Sequence, residues 1–184
     1  MEYLNIIVRG SVKLAQINPQ NGRSIALFVL HAGDIFDVFS LLDGKKHVTF
    51  PTALEPTAIV RVDMAKAREW FREFSRLNAQ MLPYLGRLMR ELEAFSEAIV
   101  FDDTATRLAK LILKHIHPEP SEHEYVPVRL INRVSHEVLA EMIGSVRSVV
   151  TTQLNKMKEE GLILSRRGRF VVKELETLKE RYNL

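Results

Sequence analysis

The chain has 184 residues, of which 46% are hydrophobic and 27% charged, a composition typical of globular proteins that can form two small cores. Its formal net charge of +3 is compatible with nucleic-acid binding, and the absence of cysteine excludes disulfides, thiolate zinc sites and cysteine-bound iron–sulfur clusters. No apolar run approaches the ~20 residues of a membrane span and no signal-peptide pattern opens the chain, so we expect a cytoplasmic protein without a membrane partner.

The first third of the chain has the apolar and β-branched runs of a β-domain. The runs IIVRGSVKLAQI and SIALFVLHAG flank Asn18–Gly22, whose Asn, Pro and Gly residues favour a hairpin turn. Gly33-Asp34 and Asp43-Gly44 punctuate further short runs, and the helical segment MAKAREWFREF follows Asp63. We predict a small β-domain over residues 1–73.

A long helix is predicted over residues 74–101. Apolar residues recur there at alternating spacings of four and three, the heptad pattern through which two helices interlock in a dimer. The residues of this predicted dimer seam are Met81, Leu85, Leu88, Leu92, Phe95 and Ile99. The alternative is a single helix packed on its own β-domain. Pro83 lies early in the pattern, so we expect the helix to begin near it or to bend there.

Residues 102–184 are predicted to form a winged helix-turn-helix. Asp102-Asp103-Thr104 provides a cap for the helix TATRLAKLILKHI, and YVPVRLI is a short strand. The segment SHEVLAEMIGSVRSVVTTQLNKMKEEG then has the pattern of two short helices with a Ser135 cap and a tight turn at Gly144. The following LILSRRGRFVVKE alternates around Arg167-Gly168 as a hairpin, which would be the wing.

The second helix of this pair carries the candidate DNA contacts. Its predicted inner stripe consists of Val146, Val150, Leu154 and Met157. The outer face carries an Arg and small hydrogen-bonding side chains, which suit base edges in a major groove: Arg147, Ser148, Thr151, Thr152 and Asn155. The first four are the predicted base-reading residues. The predicted phosphate contacts are Ser135, Arg166, Arg167 and Arg169.

These elements, in this order, resemble the Crp-Fnr family of bacterial transcription regulators. The matching segments are FDDTATRLAKLIL, SHEVLAEMIGSVRSVVTTQLNKMKEEGLI and RRGRFVV, with looser matches at IIVRGSVKLAQ and HAGDIF. The resemblance implies an α+β fold with an N-terminal cyclic-nucleotide-binding-like β-roll, here a cupin-like jelly roll that lacks its first strands. A long dimerisation helix and a C-terminal winged helix-turn-helix complete it.

The same resemblance implies a function. Members are homodimers that bind inverted-repeat operators, with RNA polymerase as a further expected partner, and they are not enzymes. Arg147 falls where the family commonly places an Arg that reads guanine. Ser148 stands where many members carry a Glu, so we expect a different half-site here.

The resemblance also places an effector pocket in the β-roll, but the residues argue against cyclic AMP. Asp37-Val38-Phe39 and His47-Val48-Thr49 stand where cyclic-nucleotide members carry Gly-Glu-Leu for the ribose and Arg-Ser for the phosphate. A buried phosphate without an Arg partner would cost several kcal/mol. The effector is therefore unknown. The candidate pocket residues are Phe36, Val38, Phe39, His47, Thr49 and Leu92.

Two alternatives follow from the histidines. A haem ligated by His31 or His47, set among Phe36, Phe39, Phe50 and Leu92, would make the protein a haem- or small-ligand-binding sensor whose main output is not DNA binding. A metal cluster is the weaker alternative, because its five candidate residues lack the fixed spacing of a tetrahedral site. They are His115, His117, Glu122, His123 and Glu124. We predict no metal site, and no motif for catalysis is present.

Overall fold

The computed structural model describes residues 2–46, 48–116, 126–127, 134–166, 169–173 and 175–184. The chain divides into two compact units, Met1–Phe95 and Ser96–Leu184, and one long helix contributes to both. The domain boundaries expected after residues 73 and 101 stay a prediction.

Six strands of the first unit form two three-stranded antiparallel sheets, which confirms the predicted β-domain. The strands are β1 (Tyr3–Arg9), β2 (Ser11–Ile17), β3 (Ser24–His31), β4 (Ile35–Phe36), β5 (Phe50–Ala53) and β6 (Ala58–Asp63). One sheet has the order β4-β1-β6 and the other β3-β2-β5. The predicted hairpin around Asn18–Gly22 joins β2 to β3, and its Asn18 N–H donates to Arg23 O over 2.8 Å.

Gly10 carries the chain from one sheet to the other. Its φ is +88°, and a Cβ atom there would lie 2.5 Å from Thr57 Oγ1 and 2.8 Å from Pro56 O. Both the left-handed backbone and the lack of space exclude a side chain. The single apolar run IIVRGSVKLAQI is therefore two strands in two sheets.

Three helices belong wholly or partly to this unit. The short α1 (Val38–Asp43) has no counterpart among the predicted elements; it follows Asp37 in the left-handed conformation and ends at Gly44. Helix α2 (Met64–Glu73) is capped by the Asp63 carboxylate, which accepts hydrogen bonds from two N–H groups of its first turn.

Helix α3 (Ser75–Phe101) contains Pro83 within its length. Of the two alternatives expected at Pro83, a helix start near it is wrong, because the helix begins eight residues earlier, at Ser75, and a bend there stays a prediction. A proline removes one backbone hydrogen bond, and the remaining bonds of this 27-residue helix persist around it.

The core of the first unit lies between the two sheets and the helices. It contains thirteen buried residues from strands and helices alike. They are Leu4, Ile7, Val12, Leu14, Phe28, Leu30, Phe36, Val38, Leu41, Met64, Ala67, Met81 and Leu88.

The second unit contains the predicted helix-turn-helix and wing. Its elements after α3 are α4 (Thr104–Lys114), β7 (Val126–Pro127), α5 (His136–Met142), α6 (Arg147–Glu159), β8 (Ile163–Arg166), β9 (Arg169–Val172) and α7 (Leu175–Tyr182). The three strands form an antiparallel sheet in the order β7-β9-β8. Side chains from α4, α5, α6, the sheet and α7 share one core beneath α6.

Candidate nucleic-acid interface

A short turn joins α5 to α6 and fixes where α6 begins. Ser135 caps α5, as predicted, since the Val138 N–H donates to Ser135 Oγ over 3.3 Å. At the other end the Ser145 N–H donates to Ala140 O over 2.8 Å, with Gly144 at φ +62°. This Schellman arrangement ends the helix on a left-handed glycine, which confirms the predicted turn.

Three side chains set the orientation of α6 about its axis. Val150, Leu154 and Met157 are fully buried, in one core with Leu108 of α4 and Leu139 of α5. Rotation of α6 would expose these side chains and bury polar ones. The opposite face is therefore held outward.

Val146 departs from the predicted inner stripe. It is the N-cap residue of α6, with an extended backbone at φ −120°, and its side chain is 45% exposed. The helical spacing does not continue through a residue that lies outside the helix. The prediction for Val146 is wrong for that reason.

The outer face of α6 carries the predicted base-reading residues. Arg147, Ser148 and Thr152 are exposed, as is Asn155, while Thr151 is half-buried. Within the described parts of the chain, no carboxylate pairs with the Arg147 guanidinium. Its donor groups are therefore available to a partner molecule, and its role as a base reader stays a prediction.

Both threonines of this face use their hydroxyl protons inside the helix. Thr151 Oγ1 donates to Arg147 O over 2.9 Å, and Thr152 Oγ1 donates to Ser148 O over 3.1 Å. Each bond spans four residues, the spacing at which a helical threonine reaches a backbone carbonyl. The side chains are thereby held in defined rotamers.

His136 is a site residue that the sequence pattern does not reveal. Its Nδ1 lies 2.8 Å from Thr151 Oγ1, which joins the start of α5 to the outer face of α6. Burial lowers the pKa of His136 below its ordinary value, and the positive charges of Lys158 and Arg147 lower it further. A neutral ring is therefore favoured at neutral pH.

Three of the four predicted phosphate contacts lie within the described residues. Ser135 Oγ accepts the cap bond, which leaves the hydroxyl proton for a phosphate oxygen. Arg166 ends β8 and Arg169 begins β9, opposite one another in the hairpin, as predicted for a wing. Arg167 lies outside the described residues.

The candidate effector residues lie mainly in the core of the first unit. Phe36, Val38 and Thr49 are buried, Phe39 and Leu92 pack against the same cluster, and His47 lies outside the described residues. A cavity of about 330 Å³ does occur in this unit, but none of the six candidates lines it. Its walls include Leu4, Val62, Trp70, Phe71, Leu77, Met81 and Tyr84.

Haem finds little support in the described residues. His31 is exposed at the end of β3, and Phe50 is exposed on β5. No histidine lines the cavity just described. A haem needs an apolar pocket with an axial ligand, and these residues do not provide one together. Of the metal-cluster candidates, only His115 lies within the described residues. Nowhere in the described part of the chain do three His, Asp or Glu side chains come together as they would around a metal ion.

A polar contact ties the β3–β4 turn to the long helix. The hydroxyl of Tyr84 donates to Ile35 O over 2.7 Å and accepts from Ile35 N over 3.1 Å. Burial raises the pKa of Tyr84. One turn further along α3, Arg87 forms ion pairs with Asp34 and, over 3.1 Å, with Glu91. A displacement of this turn would therefore displace α3 through these bonds.

The predicted dimer seam divides into two groups. Met81 and Leu88 are buried in the β-domain of their own chain, where Leu85 and Leu92 also pack partly. Phe95 is half-buried and Ile99 is exposed. Beside this stripe lie Leu82 and Met89, which are each 71% exposed although they are apolar. The seam stays a prediction, and for Met81 and Leu88 the packing partner in this structure is their own domain.

The junction between α3 and α4 is held by capping and by one arginine. The Asp103 carboxylate accepts from Thr106 N over 2.7 Å, as predicted for a cap. The Arg107 guanidinium donates to Ile99 O over 3.3 Å and to Asp102 O over 3.4 Å. These bonds connect the last turn of α3 with the start of α4.

Comparison with known proteins agrees with this geometry. Residues 106–181 match the Crp-like helix-turn-helix domain, which spans α5 and α6. The chain is 26% identical over 185 residues to the global nitrogen regulator of a Nostoc species, with 98% of this chain and 81% of the relative covered. The chain carries a Crp-like helix-turn-helix domain and is similar over nearly its whole length to regulators of the Crp-Fnr type. It is thus a transcription regulator with a helix-turn-helix DNA-binding domain.

Two further proteins are similar to this chain over nearly its whole length. The CRP-like cAMP-activated global transcriptional regulator of Mycobacterium tuberculosis is 24% identical, with 97% of this chain and 79% of the relative covered. A CooA mutant from Carboxydothermus hydrogenoformans superposes with a TM-score of 0.79 at 25% sequence identity, and the match covers 98% of this chain and 79% of the CooA chain. The predicted fold class is confirmed by this likeness. No helix in the described part of the chain has the length and apolar character needed to cross a membrane.

Proposed function

We propose that this regulator is a homodimer that recognises an inverted-repeat operator through α6, under the control of an effector bound in the β-domain. The observation that carries the proposal is the outward face of α6, led by the exposed Arg147 and held in place by buried Val150, Leu154 and Met157. A rigid helix with such a face matches the way a recognition helix enters a major groove.

Arg147 is the proposed reader of guanine. Its guanidinium has the fork geometry that donates two hydrogen bonds to guanine O6 and N7, a contact worth roughly 1–3 kcal/mol of discrimination. Ser148 and the two threonines lie on the same face at helical spacing. Ser135 and the wing arginines are the proposed phosphate contacts, which would position α6 without reading sequence.

The proposal of a dimer rests on the apolar surface of α3. Leu82 and Met89 are one heptad apart and lie beside Leu85 and Leu92, so an apolar stripe remains uncovered along the helix. A second copy of α3 would bury this stripe, as in a coiled coil. Two-fold symmetry would then place two α6 helices on half-sites one turn of DNA, about 34 Å, apart.

The effector is proposed to act through the β3–β4 turn. Asp34 and Ile35 are bound directly to Arg87 and Tyr84 of α3, so a ligand that moves this turn would shift α3. Cyclic AMP fits poorly, since Val38 stands where cyclic-nucleotide members carry the Glu for the ribose, and His47-Val48-Thr49 contains no arginine for the phosphate.

Selection of bound duplexes from a random pool tests the proposal. We expect a two-fold symmetric consensus, and the affinity of Arg147→Ala for it should fall about 5- to 150-fold with relaxed preference at one base pair per half-site. The matched control is Arg23→Ala, which removes the same charge from an exposed position in the β2–β3 turn. The control should bind as the wild type does.

Two results would contradict the proposal. One is a wild-type protein that prefers no duplex over competitor DNA at moderate salt, with or without candidate small molecules. The other is equal loss of affinity for consensus and random DNA in the Arg147→Ala variant, which would make Arg147 a phosphate contact rather than a base reader.

A further inference from the structure

The hydroxyl of Thr151 has a restricted capacity for hydrogen bonding. A hydroxyl carries one proton and two acceptor positions. The proton of Thr151 Oγ1 goes to Arg147 O over 2.9 Å. The contact of 2.8 Å with His136 Nδ1 must then have the ring as donor. His136 therefore carries a proton on Nδ1, and Thr151 Oγ1 keeps a single free acceptor position.

This arrangement limits what Thr151 can recognise. In the major groove guanine presents only acceptors at O6 and N7, which Thr151 cannot satisfy without giving up its bond to Arg147 O. Thymine presents a methyl group, an apolar surface that the threonine methyl can contact. With Oγ1 turned to the backbone of α6 and to α5, the methyl is the γ substituent free of polar contacts within the protein.

We propose that His136 is a positioning residue for sequence recognition: its Nδ1–H holds Thr151 so that the threonine methyl contacts the methyl group of a thymine in each half-site. The proposal rests on the proposed function, since it requires α6 to lie in a major groove. It assigns Arg147 to a guanine and Thr151 to a thymine on the same helix face.

The position of His136 suits this role better than a direct contact with DNA. The ring is partly buried, and Arg147 and Lys158 of α6 are the charged groups that act on it. Both the neutral tautomer with a proton on Nδ1 and the imidazolium can donate to Thr151. Positioning therefore does not require a charged ring, whereas attraction of a phosphate would.

The experiment replaces each thymine of the selected half-site by deoxyuridine, which removes only the methyl group. We expect wild-type affinity to fall about fourfold at one position, the effect of ~0.8 kcal/mol for one buried methyl-sized group. Because the change is made in the DNA, protein folding cannot obscure the result. The proposal is overturned if no thymine-to-deoxyuridine replacement weakens binding of the wild type by twofold or more.

Matched protein variants assign the effect to residues. Thr151→Ser keeps the hydroxyl and loses the methyl, so the ratio of its affinity for the thymine duplex to its affinity for the deoxyuridine duplex should fall to about one. Thr151→Val loses the hydroxyl but places methyl groups at both γ positions, in the one rotamer that valine strongly prefers in a helix, so it should retain the ratio without the bond to His136. Retention of the ratio in Thr151→Ser together with its loss in Thr151→Val would mean that the hydroxyl and not the methyl reads the base, and would overturn the proposal.

His136 is tested by loss and rescue. His136→Leu should lower the ratio towards one at this position only, while His136→Asn, whose side-chain amide nitrogen can donate from the place of Nδ1, should restore it. An unchanged ratio in His136→Leu would overturn the positioning role. Failure of the proposed function would look different: wild-type protein would select no duplex, and Arg147→Ala would lose nothing.

Discussion

The dimer proposal can be tested most sharply by two adjacent residues of α3. Met89 is 71% exposed, whereas Leu88 is 4% exposed in the core of the β-domain. A glutamate at Leu88 would bury a charge in the protomer itself, and the resulting loss of stability would obscure any effect on association. A glutamate at Met89 leaves that core intact, and surface substitutions of this kind usually change stability by no more than about 0.5 kcal/mol.

The expected effect of Met89→Glu on association follows from the area that a partner would cover. Full burial of a methionine side chain is worth about 1.5–3 kcal/mol, so covering its exposed part contributes roughly 1–2 kcal/mol in each protomer. Loss of both copies should weaken the dimer at least ~30-fold, and repulsion between the two carboxylates adds to this.

Sedimentation velocity over a concentration series measures this change, with urea unfolding as the check on the fold. We expect Met89→Glu to become monomeric at concentrations where the wild type is a dimer, with the unfolding midpoint that the wild type shows when diluted enough to dissociate. Leu88→Ala should instead lower the free energy of unfolding by about 2–5 kcal/mol. A Met89→Glu protein that sediments as the wild-type dimer would refute the reasoning that the exposed stripe of α3 is the interface.

Further predictions concern the DNA-binding unit. Leu154→Ala should lower its free energy of unfolding by about 2–5 kcal/mol and weaken binding to all duplexes, as measured by calorimetry and fluorescence anisotropy; full stability would contradict the burial of Leu154. Arg107→Met should lower its melting temperature through loss of the bonds to Ile99 O and Asp102 O, and an unchanged melting curve would show that this link contributes nothing. The pKa of His136 lies below the value of 6.5 expected when unfolded, so the unfolded chain binds the extra proton first. The stability that this group contributes is complete above pH 6.5 and is lost as the pH falls from there through the pKa of the folded state. In urea titrations at a series of pH values, His136→Asn should flatten this part of the dependence of unfolding free energy on pH. An equally steep dependence in the variant would count against the assignment.

Local signals in the sequence account for most of the elements. Asp63, Asp103 and Ser135 accept hydrogen bonds at the helix starts where capping chemistry predicts them. Gly144 ends α5 in the conformation that a glycine adopts most easily. These features depend on neighbours within a few residues along the chain, so the sequence alone predicts them.

The heptad pattern of α3 shows where local signals end. Its periodicity identifies an apolar stripe, but the same stripe can face a partner helix or the helix's own domain. Tertiary packing buried Met81 and Leu88 in the β-domain and left Leu82 and Met89 exposed. No pattern of apolar residues distinguishes these outcomes, because the pattern does not record which surface covers it.

What the sequence by itself determined is the helix-turn-helix with its outward Arg147, Ser148, Thr151 and Thr152, because capping, turn and periodicity are short-range properties. What only the tertiary structure decided is the contact between His136 and Thr151, fifteen residues apart, which depends on how α5 crosses α6. The bond of the Thr151 hydroxyl to Arg147 O is local to α6, but its second contact, and with it the hydrogen-bonding capacity left for a base pair, follows from that crossing.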